Sequence, residues 1–427
     1  MNLANIPETG QKRVVITGAG FGGLKLARYL AGKDIQVVLL DKNNYHSFQP
    51  LFYQVATAGI EPSAISFPLR KAFHRFKNVH VRIARVTRVV YDQKLVETNI
   101  GNLKFDYLVI ALGAGNNFFG NESITQYAFP MKSIGESLGL RNTILTNFEK
   151  ALNTTNLTEQ RTLMNLVIVG GGPTGVELSG ALAEMKNYVL PKDYPELDFQ
   201  NMQIYLVEAG KKLLGAMSAK SSRQALKYLT KLDVNVILGK LVTDFNGTEV
   251  FLNDNSSIHS KTLIWAAGIK GNHLEGLDKS QIVQGNRFKV DSYNRVFGYD
   301  DIFAIGDIAS MIDNRNPKGH PQVAQVAIQQ ARCLGRNLIR LNDHHQLRPF
   351  SYKDLGTLAT VGRNKAVVDL PFIRFQGLLA WFFWMFVHLM SIVGVKNRLL
   401  IFVNWAYHYF TYDQSLRLII KPKVKVS

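Results

Sequence analysis

The sequence predicts an α/β protein with two Rossmann-like dinucleotide-binding domains and a C-terminal helical region that associates with a membrane. Three observations predict this architecture. A short apolar strand near the N-terminus runs into a glycine-rich turn and a helix, the same pattern recurs near residue 170, and an uncharged aromatic segment lies near the C-terminus. Strand, glycine turn and helix in this order are typical of sheets that bind a dinucleotide, and two copies predict two dinucleotides.

The first copy begins with the β-branched run Arg13–Thr17, followed by the motif GxGxxG over residues 18–23. Apolar residues at helical spacing then predict a helix over 24–31, and a second strand over 36–40 ends on Asp41. An acid about 20 residues beyond the glycines completes the dinucleotide fingerprint. The alternative is a glycine turn of some other α/β fold, which would not require the strand, helix and acid in this order.

Each residue of the fingerprint has a physical role. Gly18 allows the tight turn, Gly20 lets a pyrophosphate touch the backbone, and Gly23 lets the helix pack closely on the strand. The N-terminus of the helix offers unpaired N–H groups to the diphosphate. Asp41 is expected to accept hydrogen bonds from the ribose hydroxyls.

The second copy comprises the strand 166–169, a glycine turn over 170–175 and a strand over 203–207 that ends on Glu208. The gap between glycines and acid is longer here, which predicts an extended or looped helical segment around 187–199. Glu177 lies in the first helical turn, where an acid is favoured by the helix dipole. A carboxylate at Glu208 repels a 2′-phosphate, so we expect NADH to be preferred over NADPH.

Composition narrows the functional classes. The chain has 427 residues, a net charge of +18 and one cysteine, Cys333. One cysteine excludes an intramolecular disulfide, a CxxC redox pair and an all-cysteine iron–sulfur site. The positive charge predicts an anionic partner, which is a nucleic acid, a membrane or nucleotides. Residues 1–12 contain no apolar core of a signal peptide, so we expect the catalytic domains in the cytoplasm.

Between and after the two copies, several segments carry further predictions. Residues 44–59 mix aromatic, polar and small side chains without a clear period, so they either cover a ligand or form a packed loop. A single strand is predicted over Leu103–Ala111, running into another glycine turn. A buried strand ending on Gly306 and Asp307 indicates a return to the first domain, and a helix is predicted over Gln322–Leu341.

The C-terminal region changes character. Gly377–Val395 contains no charged residue, and Leu399–Phe410 is a second apolar run. Aromatic side chains and basic flanks favour attachment to an anionic membrane surface, while a single membrane span and a buried core or dimer helix are the alternatives. The second run carries a predicted polar stripe of Asn404, Tyr407, His408 and Thr411. The basic residues are Arg374, Lys396, Arg398, Arg417, Lys421, Lys423 and Lys425, against the single acid Asp413.

On these residues, the chain resembles the type II NADH:quinone oxidoreductases, which are single-subunit respiratory dehydrogenases that do not pump protons. The resemblance covers nearly the whole chain. Besides the paired glycine motifs, it rests on FQPLFYQVAT at 48–57, TLIWAAG at 262–268, Ile305-Gly306-Asp307, and AQVAIQ at 324–329.

The resemblance implies non-covalent FAD in the first domain, NADH as the substrate of the second, and a membrane quinone as acceptor. It further implies a homodimer bound peripherally to the inner face of the cytoplasmic membrane, with no metal and no nucleic acid. The implied catalytic residues are Glu177, between nucleotide and flavin, and Gln325 and Gln329, which border the quinone. The implied flavin-binding residues are Gly18, Gly20, Phe21, Gly22, Gly23, Asp41, Lys42, Gln54, Thr57, Val86, Ala111, Gly113, Asp307, Ala324 and Gln325. The implied NADH-binding residues are Gly170, Gly172, Thr174, Gly175, Glu177, Glu208, Ala267 and Gly268.

The predicted domains are a discontinuous FAD-binding domain (10–130 and 275–345), an NADH-binding domain (131–274) and a membrane-anchoring region (346–427). Some family members place a lysine in the first C-terminal apolar helix. None lies in 377–395 here, where His388 is packed, faces lipid or replaces a polar group. Two other functions stay open: a soluble NAD(P)H-dependent flavoprotein reductase of a small redox protein, and a basic flavoprotein that binds nucleic acid. The alternatives for Gln325 and Gln329 are a solvated helix face or a contact within the helix.

Overall fold

The computed structural model describes residues 3, 5–314, 316–412 and 416–420. Asp413, Lys421, Lys423 and Lys425 of the predicted basic tail lie outside these residues. The chain forms two compact units, each built from several segments. The first unit comprises residues 1–47, 67–115 and 269–354, and the second comprises 48–66, 116–268 and 355–427.

These units divide the chain differently from the predicted domains. Residues 48–66, predicted within the FAD-binding domain, belong to the second unit. Residues 355–427, predicted as a separate region, belong to it as well. The reason is packing, because the C-terminal helices and the helix Phe52–Ala56 contact one another and the helix Pro173–Glu184.

The first unit is built on a five-stranded parallel sheet. Its central strand is buried at all five positions, as expected for a parallel sheet covered on both faces. The helix Phe21–Leu30 follows this strand and packs against the helix Ala324–Asn342, where Gly335 leaves room for the ring of Tyr29. From one edge to the other, the strands are Ile302–Ala304, Tyr107–Ile110, Arg13–Thr17, Gln36–Asp41 and Val79–Ile83.

Smaller elements complete the first unit. A three-stranded antiparallel sheet and a second three-stranded sheet flank the parallel one. Two short strands, Ser66–Pro68 and Ala114–Asn116, each begin in one unit and end in the other. The remaining strands are Tyr45–Ser47, Val86–Val90, Leu95–Thr98, Gly101–Lys104, Ile269–Gly271, Ile282–Val283, Arg287–Val290 and Ala309–Met311, with the helix Leu69–Phe73.

The second unit repeats the parallel sheet. The strand Leu166–Val169 lies at its centre and is buried at all four positions. The long helix Ile134–Leu152 begins at Ser133, whose hydroxyl accepts the Glu136 N–H and so caps the helix. In spatial order the sheet contains Phe129–Pro130, Thr262–Trp265, Leu166–Val169, Ile204–Glu208 and Val234–Leu238.

Two antiparallel three-stranded sheets and further helices complete this unit. The predicted irregular segment after the second glycine helix is a π-helical turn, Met185–Val189, that continues into the helix Leu190–Asp193. The other strands are Val242–Phe245, Glu249–Leu252, Ser257–His259, Thr357–Thr360, Ala366–Asp369 and Arg374–Gln376. The other helices are Phe52–Ala56, Glu122–Tyr127, Leu157–Met164, Pro173–Glu184 and Ala219–Lys231.

Two helices end the described chain: Leu378–Ser391, which we call the aromatic helix, and Val395–Thr411, which we call the final helix. Within the described residues, neither of them nor any other helix combines the length and the hydropathy needed to cross a bilayer.

The predicted single strand over Leu103–Ala111 is wrong, because the structure contains two strands there. Gly101–Lys104 pairs antiparallel with Leu95–Thr98, whereas Tyr107–Ile110 joins the parallel sheet. The break comes at Asp106, whose carboxylate accepts the Arg13 N–H at 2.8 Å and turns the chain onto the central strand.

The predicted polar stripe of the final helix is divided between half-buried and exposed positions. Asn404 and His408 are half-buried, while the apolar Phe402 and Val403 are exposed. Two other residues of this helix form hydrogen bonds to residues 54–66. The Asn397 amide donates to the carbonyls of Ser63, Ala64 and Ser66, and the Trp405 indole donates to Gln54.

Candidate functional site

The first glycine turn has the geometry that a diphosphate requires. Gly18 has φ +100°, and a Cβ there would lie 2.3 Å from the Ala111 carbonyl oxygen. A Cβ on Gly23 would lie 1.8 Å from the Gly18 carbonyl oxygen, so both positions need glycine. A Cβ on Gly20 would meet no atom within 4 Å. Gly20 therefore borders open space at the N-terminus of a helix, where a diphosphate would bind.

Two side chains hold the Ala19 peptide inside this turn. The Asp41 carboxylate accepts the Ala19 N–H at 2.6 Å and the Asn43 N–H at 2.7 Å. His46 Nδ1 lies 2.9 Å from the Ala19 carbonyl oxygen, and burial lowers the pKa of His46. Burial also raises the pKa of Asp41. The ribose contact of Asp41 stays a prediction, and the sequence offered no signal for His46.

Most other predicted flavin-binding residues lie at the carboxyl edge of the same sheet, which is the edge where such folds bind ligands. Lys42 and Ala111 follow two of its strands directly, and Asp307 lies in a short turn after a third. Gln330, which the sequence analysis missed, accepts the Gly306 N–H at 2.7 Å and fixes that turn. Phe21, Gly22, Gly113, Ala324 and Val86 belong to the first unit as well, whereas Gln54 and Thr57 belong to the second.

The two predicted quinone-site glutamines occupy one helix of the first unit. Gln329 is engaged by the backbone, because its amide oxygen accepts the Lys353 N–H at 3.0 Å and its amide nitrogen donates to the Lys353 carbonyl at 2.9 Å. Gln325, one helical turn earlier, is half-buried. Their roles stay predictions, and the backbone contacts give Gln329 a structural role of its own.

The second glycine turn reproduces the first in the second unit. Gly170 has φ +110° and would place a Cβ 2.6 Å from the Ala266 carbonyl oxygen, while a Cβ on Gly172 would meet no atom within 4 Å. Glu208 lies at this turn, where its carboxylate accepts the N–H groups of Gly171 and Gly210 at 2.5 Å each. Gly175 and the exposed Thr174 belong to this turn. Ala267 packs against it, since a Cβ on Gly170 would lie 2.8 Å from the Ala267 Cα, and Gly268 is the next residue of the chain.

A cavity of the second unit is lined in part by the helix Pro173–Glu184, which follows the second glycine turn. Together with its opening to solvent it measures about 680 Å³. Helices from three distant chain segments form its walls. Its lining residues include Tyr53, Gln54, Thr57, Glu177, Glu184, Arg363, Trp381, Trp384, Trp405, His408 and Tyr409.

Glu177 is the buried acid of this cavity. Its carboxylate accepts the Thr360 N–H at 3.2 Å and the Trp384 indole N–H at 3.0 Å. Burial raises the pKa of Glu177 to about 8, and the two donors oppose this shift only in part. The carboxyl group is therefore mostly protonated at neutral pH.

Gln54 and Thr57, predicted to bind flavin, take part in a network in the cavity wall. The Gln54 amide oxygen accepts the Trp405 indole N–H at 2.8 Å, and its nitrogen donates to the Tyr53 hydroxyl at 2.9 Å. The Thr57 hydroxyl donates to the Tyr53 carbonyl at 3.0 Å. Burial raises the pKa of Tyr53 well above its usual range.

His388 of the aromatic helix is packed. Its ring stacks on that of Trp384 with centroids 4.0 Å apart, and its Nδ1 lies 2.8 Å from the Trp384 carbonyl oxygen. Burial lowers the pKa of His388 to about 4, so the ring is neutral at pH 7. Among the three alternatives for this residue, the structure therefore supports packing.

Comparison with known proteins agrees with this architecture. Residues 12–331 match the family model described as pyridine nucleotide-disulphide oxidoreductase, and residues 355–411 match the NDH2 C-terminal domain. The chain is 33% identical over 413 residues to the type II NADH:quinone oxidoreductase Ndh of Mycobacterium tuberculosis, covering 92% of this chain and 87% of that protein. A Haemophilus influenzae type II NADH:quinone oxidoreductase is 29% identical, with 84% and 87% covered.

Solved structures show the same fold. NDH2 of Plasmodium falciparum, solved in complex with NADH, superposes with a TM-score of 0.88 at 24% identity and covers 96% of this chain and 100% of that one. The sulfide:quinone oxidoreductase of Aquifex aeolicus superposes with a TM-score of 0.68 at 17% identity, with 96% of each chain covered. The NDH2 C-terminal domain match includes both the aromatic and the final helix, the similarity to the mycobacterial enzyme covers 92% of the chain, and the chain belongs to the type II NADH:quinone oxidoreductase family.

Proposed function

We propose that this flavoenzyme works on a membrane surface, where it passes electrons from NADH through non-covalent FAD to a quinone dissolved in the lipid, without pumping protons. When bound, FAD supplies the redox chemistry, accepting a hydride and donating electrons to the quinone. The observation that carries the membrane part is the exposed apolar surface of the aromatic and final helices, on the unit that contains the cavity.

The glycine turns fit the two nucleotides. Gly20 and Gly172 each open onto free space at a helix N-terminus, which suits the diphosphate of FAD in the first unit and that of NADH in the second. Asp41 and Glu208 end the strands that carry the ribose-binding acid in this type of fold. The chain has only one cysteine, so disulfide reduction by a cysteine pair is not its chemistry.

Many large apolar side chains of the aromatic and final helices and of the loop before them are exposed to solvent. Phe386 is 62% exposed, Phe410 is 82% exposed, and Phe372, in the loop before the strand Arg374–Gln376, is fully exposed. Exposed apolar side chains recur at helical spacing along the aromatic and final helices. Such clusters of exposed apolar residues mark interaction sites, and aromatic side chains suit the lipid interface. We call this surface the apolar face; it comprises Phe372, Ile373, Leu378, Leu379, Phe382, Phe386, Met390, Val395, Leu399, Phe402, Val403 and Phe410.

We propose that a quinone enters the cavity from the apolar face. Glu177 is protonated at neutral pH and lies in the cavity wall, so it can supply a proton to a reduced acceptor. The predicted roles of Gln325 and Gln329 in quinone reduction are part of this proposal. Family membership also supports a homodimer bound at the inner face of the cytoplasmic membrane.

Replacing Phe386 and Phe410 together with serine should weaken binding to vesicles that contain anionic lipid by about tenfold or more, because both rings lose their burial in lipid. Reduction of long-chain quinone should fall in parallel, while NADH oxidation by a soluble dye stays unchanged. Co-sedimentation and steady-state assays measure the two effects.

The matched control is Leu157→Ser, since Leu157 is 60% exposed on the same unit but outside the apolar face. Its vesicle binding should equal that of the unmodified chain. If the double variant still binds vesicles and reduces long-chain quinone normally, the membrane proposal fails and a soluble reductase of a small redox protein becomes the better reading.

Glu208→Gln should raise the catalytic efficiency with NADPH relative to NADH by about tenfold, because removing the negative charge removes its repulsion of the 2′-phosphate. Exposed Lys211 and Lys212 nearby would then favour the phosphate. Steady-state kinetics with both nucleotides measure the ratio, and Glu196→Gln, an exposed acid of the same unit, should leave it unchanged. Equal efficiency of the unmodified enzyme with both nucleotides would contradict this placement of Glu208.

A further inference from the structure

Arg363 is a clamped cation in the cavity wall that the proposed reaction does not use. It lies in the turn after the strand Thr357–Thr360 and lines the cavity. Its Cζ is 4.0 Å from the ring centroid of Tyr409 and 4.1 Å from that of Tyr412. Cation–π contact with two rings holds the guanidinium in place but satisfies none of its N–H donors.

Two nitrogens of this guanidinium have no hydrogen-bond acceptor among the described residues. Nε and Nη1 of Arg363 are buried and have no hydrogen-bond partner within the described residues. The neighbouring acid, Glu184, accepts the backbone N–H of Arg363 instead, and burial raises the pKa of Glu184. A buried donor without an acceptor is costly, so a ligand oxygen at this point would be bound favourably.

The surroundings select a negatively charged ligand. Both Lys365 and Arg363 lie close enough to Glu184 to act on its charge, and Lys192 borders a smaller depression that shares Tyr412 with this site. Arg417, which also borders that depression, pairs with Asp193. A guanidinium with neighbouring amines is the combination that binds phosphate oxygens, with arginine supplying two parallel donors.

The separation between Arg363 and Glu177 argues against the quinone ring as the ligand of Arg363. Glu177, proposed to face the acceptor ring, and Glu184, beside Arg363, are seven residues apart on one helix, or roughly 10 Å along its axis. Tyr409 and Tyr412 come from the end of the final helix, where Phe410 is part of the apolar face. The site therefore lies at the Glu184 end of the helix Pro173–Glu184, beside the end of the final helix that carries Phe410 of the apolar face.

We propose that Arg363, clamped by Tyr409 and Tyr412, binds the phosphate of an anionic phospholipid at the mouth of the cavity. The proposal rests on the membrane-surface function above, but it concerns a specific headgroup site rather than the apolar face. A lipid held there would align the cavity mouth with the interface through which the quinone enters. The same N–H groups could also donate to free phosphate. A titration with inorganic phosphate distinguishes this ligand from the lipid.

Intrinsic fluorescence reads this site directly, since Trp381, Trp384 and Trp405 line the cavity and the chain has four tryptophans in all. The probe is monomeric dihexanoyl-phosphatidylglycerol, titrated below its micelle concentration into the flavin-loaded full chain. We expect a saturable fluorescence change that dihexanoyl-phosphatidylcholine and inorganic phosphate produce only at concentrations about tenfold higher or more. In Arg363→Gln the response to phosphatidylglycerol should weaken by about tenfold or more.

Two further variants make the result specific. Lys396→Gln removes the same charge from an exposed position of the final helix and should keep the response of the unmodified chain. Arg363→Lys keeps the charge but loses the paired donors, so its affinity should be intermediate. Flavin content and melting temperature verify that each variant is folded.

Several results would overturn the proposal. An unchanged response in Arg363→Gln would show that Arg363 does not hold the lipid, and an equal response to inorganic phosphate would make the site one for free phosphate. A loss of short-chain quinone reduction without lipid, at an unchanged lipid response, would assign Arg363 to the quinone. Because monomeric lipid requires neither a membrane nor quinone turnover, these results are independent of the vesicle experiment on Phe386 and Phe410.

Discussion

Gly20→Val is expected to give a folded protein without bound flavin. Gly20 has φ −67° and ψ −161°, which any L-residue adopts, and a Cβ there meets no atom within 4 Å. The valine side chain therefore costs little in the ligand-free protein. It fills the space that the FAD diphosphate needs, so affinity for FAD should fall by about a hundredfold or more, which corresponds to losing roughly 3 kcal/mol of contact.

The second glycine turn offers a reciprocal experiment. Gly172 has the same open surroundings and an equally ordinary backbone conformation, with φ −72°. Gly172→Val should therefore keep its flavin but lose reduction of that flavin by NADH. The visible spectrum reports flavin occupancy, and stopped-flow absorbance reports the reduction step.

A surface glycine serves as the control for this pair. Gly10 is exposed and a Cβ there also meets no atom within 4 Å, so Gly10→Val should bind flavin and react with NADH normally. Full flavin occupancy in Gly20→Val would contradict the assignment of FAD to the first turn. Loss of flavin in Gly172→Val would contradict the division of the two nucleotides between the units.

Glu177→Gln should flatten the dependence of unfolding free energy on pH. The pKa of Glu177 is about 8 in the folded protein, against 4.5 for an ordinary glutamate. Between these values the folded state holds a proton that the unfolded state releases, so stability is highest below about pH 4.5 and falls as pH rises to about 8. The slope for one group is about 1.4 kcal/mol per pH unit, which amounts to several kcal/mol across this window.

Glutamine is nearly isosteric with the protonated acid and keeps an oxygen to accept the Thr360 and Trp384 N–H groups. The variant should therefore match the unmodified chain near pH 5 and be more stable than it by several kcal/mol near pH 8. Denaturant unfolding at a series of pH values, with FAD in excess, measures this difference. Glu196→Gln is the exposed control and should not change the profile, and a parallel profile in Glu177→Gln would mean that Glu177 is ionised throughout.

Much of the fold is encoded in local sequence. The predicted helix over Gln322–Leu341 is observed as Ala324–Asn342, and both glycine turns have the positive φ angles that GxGxxG requires at its first glycine. These predictions succeed because helical spacing and glycine's conformational freedom act over a few residues. The same local signals identify Asp41 and Glu208, the acids that end the strands Gln36–Asp41 and Ile204–Glu208.

The sequence by itself determined the two nucleotide folds, their acids and an apolar C-terminal region, all of which depend on short-range patterns. Only the tertiary structure decided the remainder. Glu177 and Trp384 hydrogen-bond across 207 residues of chain, and Gln54 and Trp405 across 351. Which face of the final helix is buried, and that Arg363 meets Tyr409 and Tyr412, follow from side-chain contacts between distant segments. No local period encodes such contacts, because burial and hydrogen-bond partners are set by the packing of the whole unit.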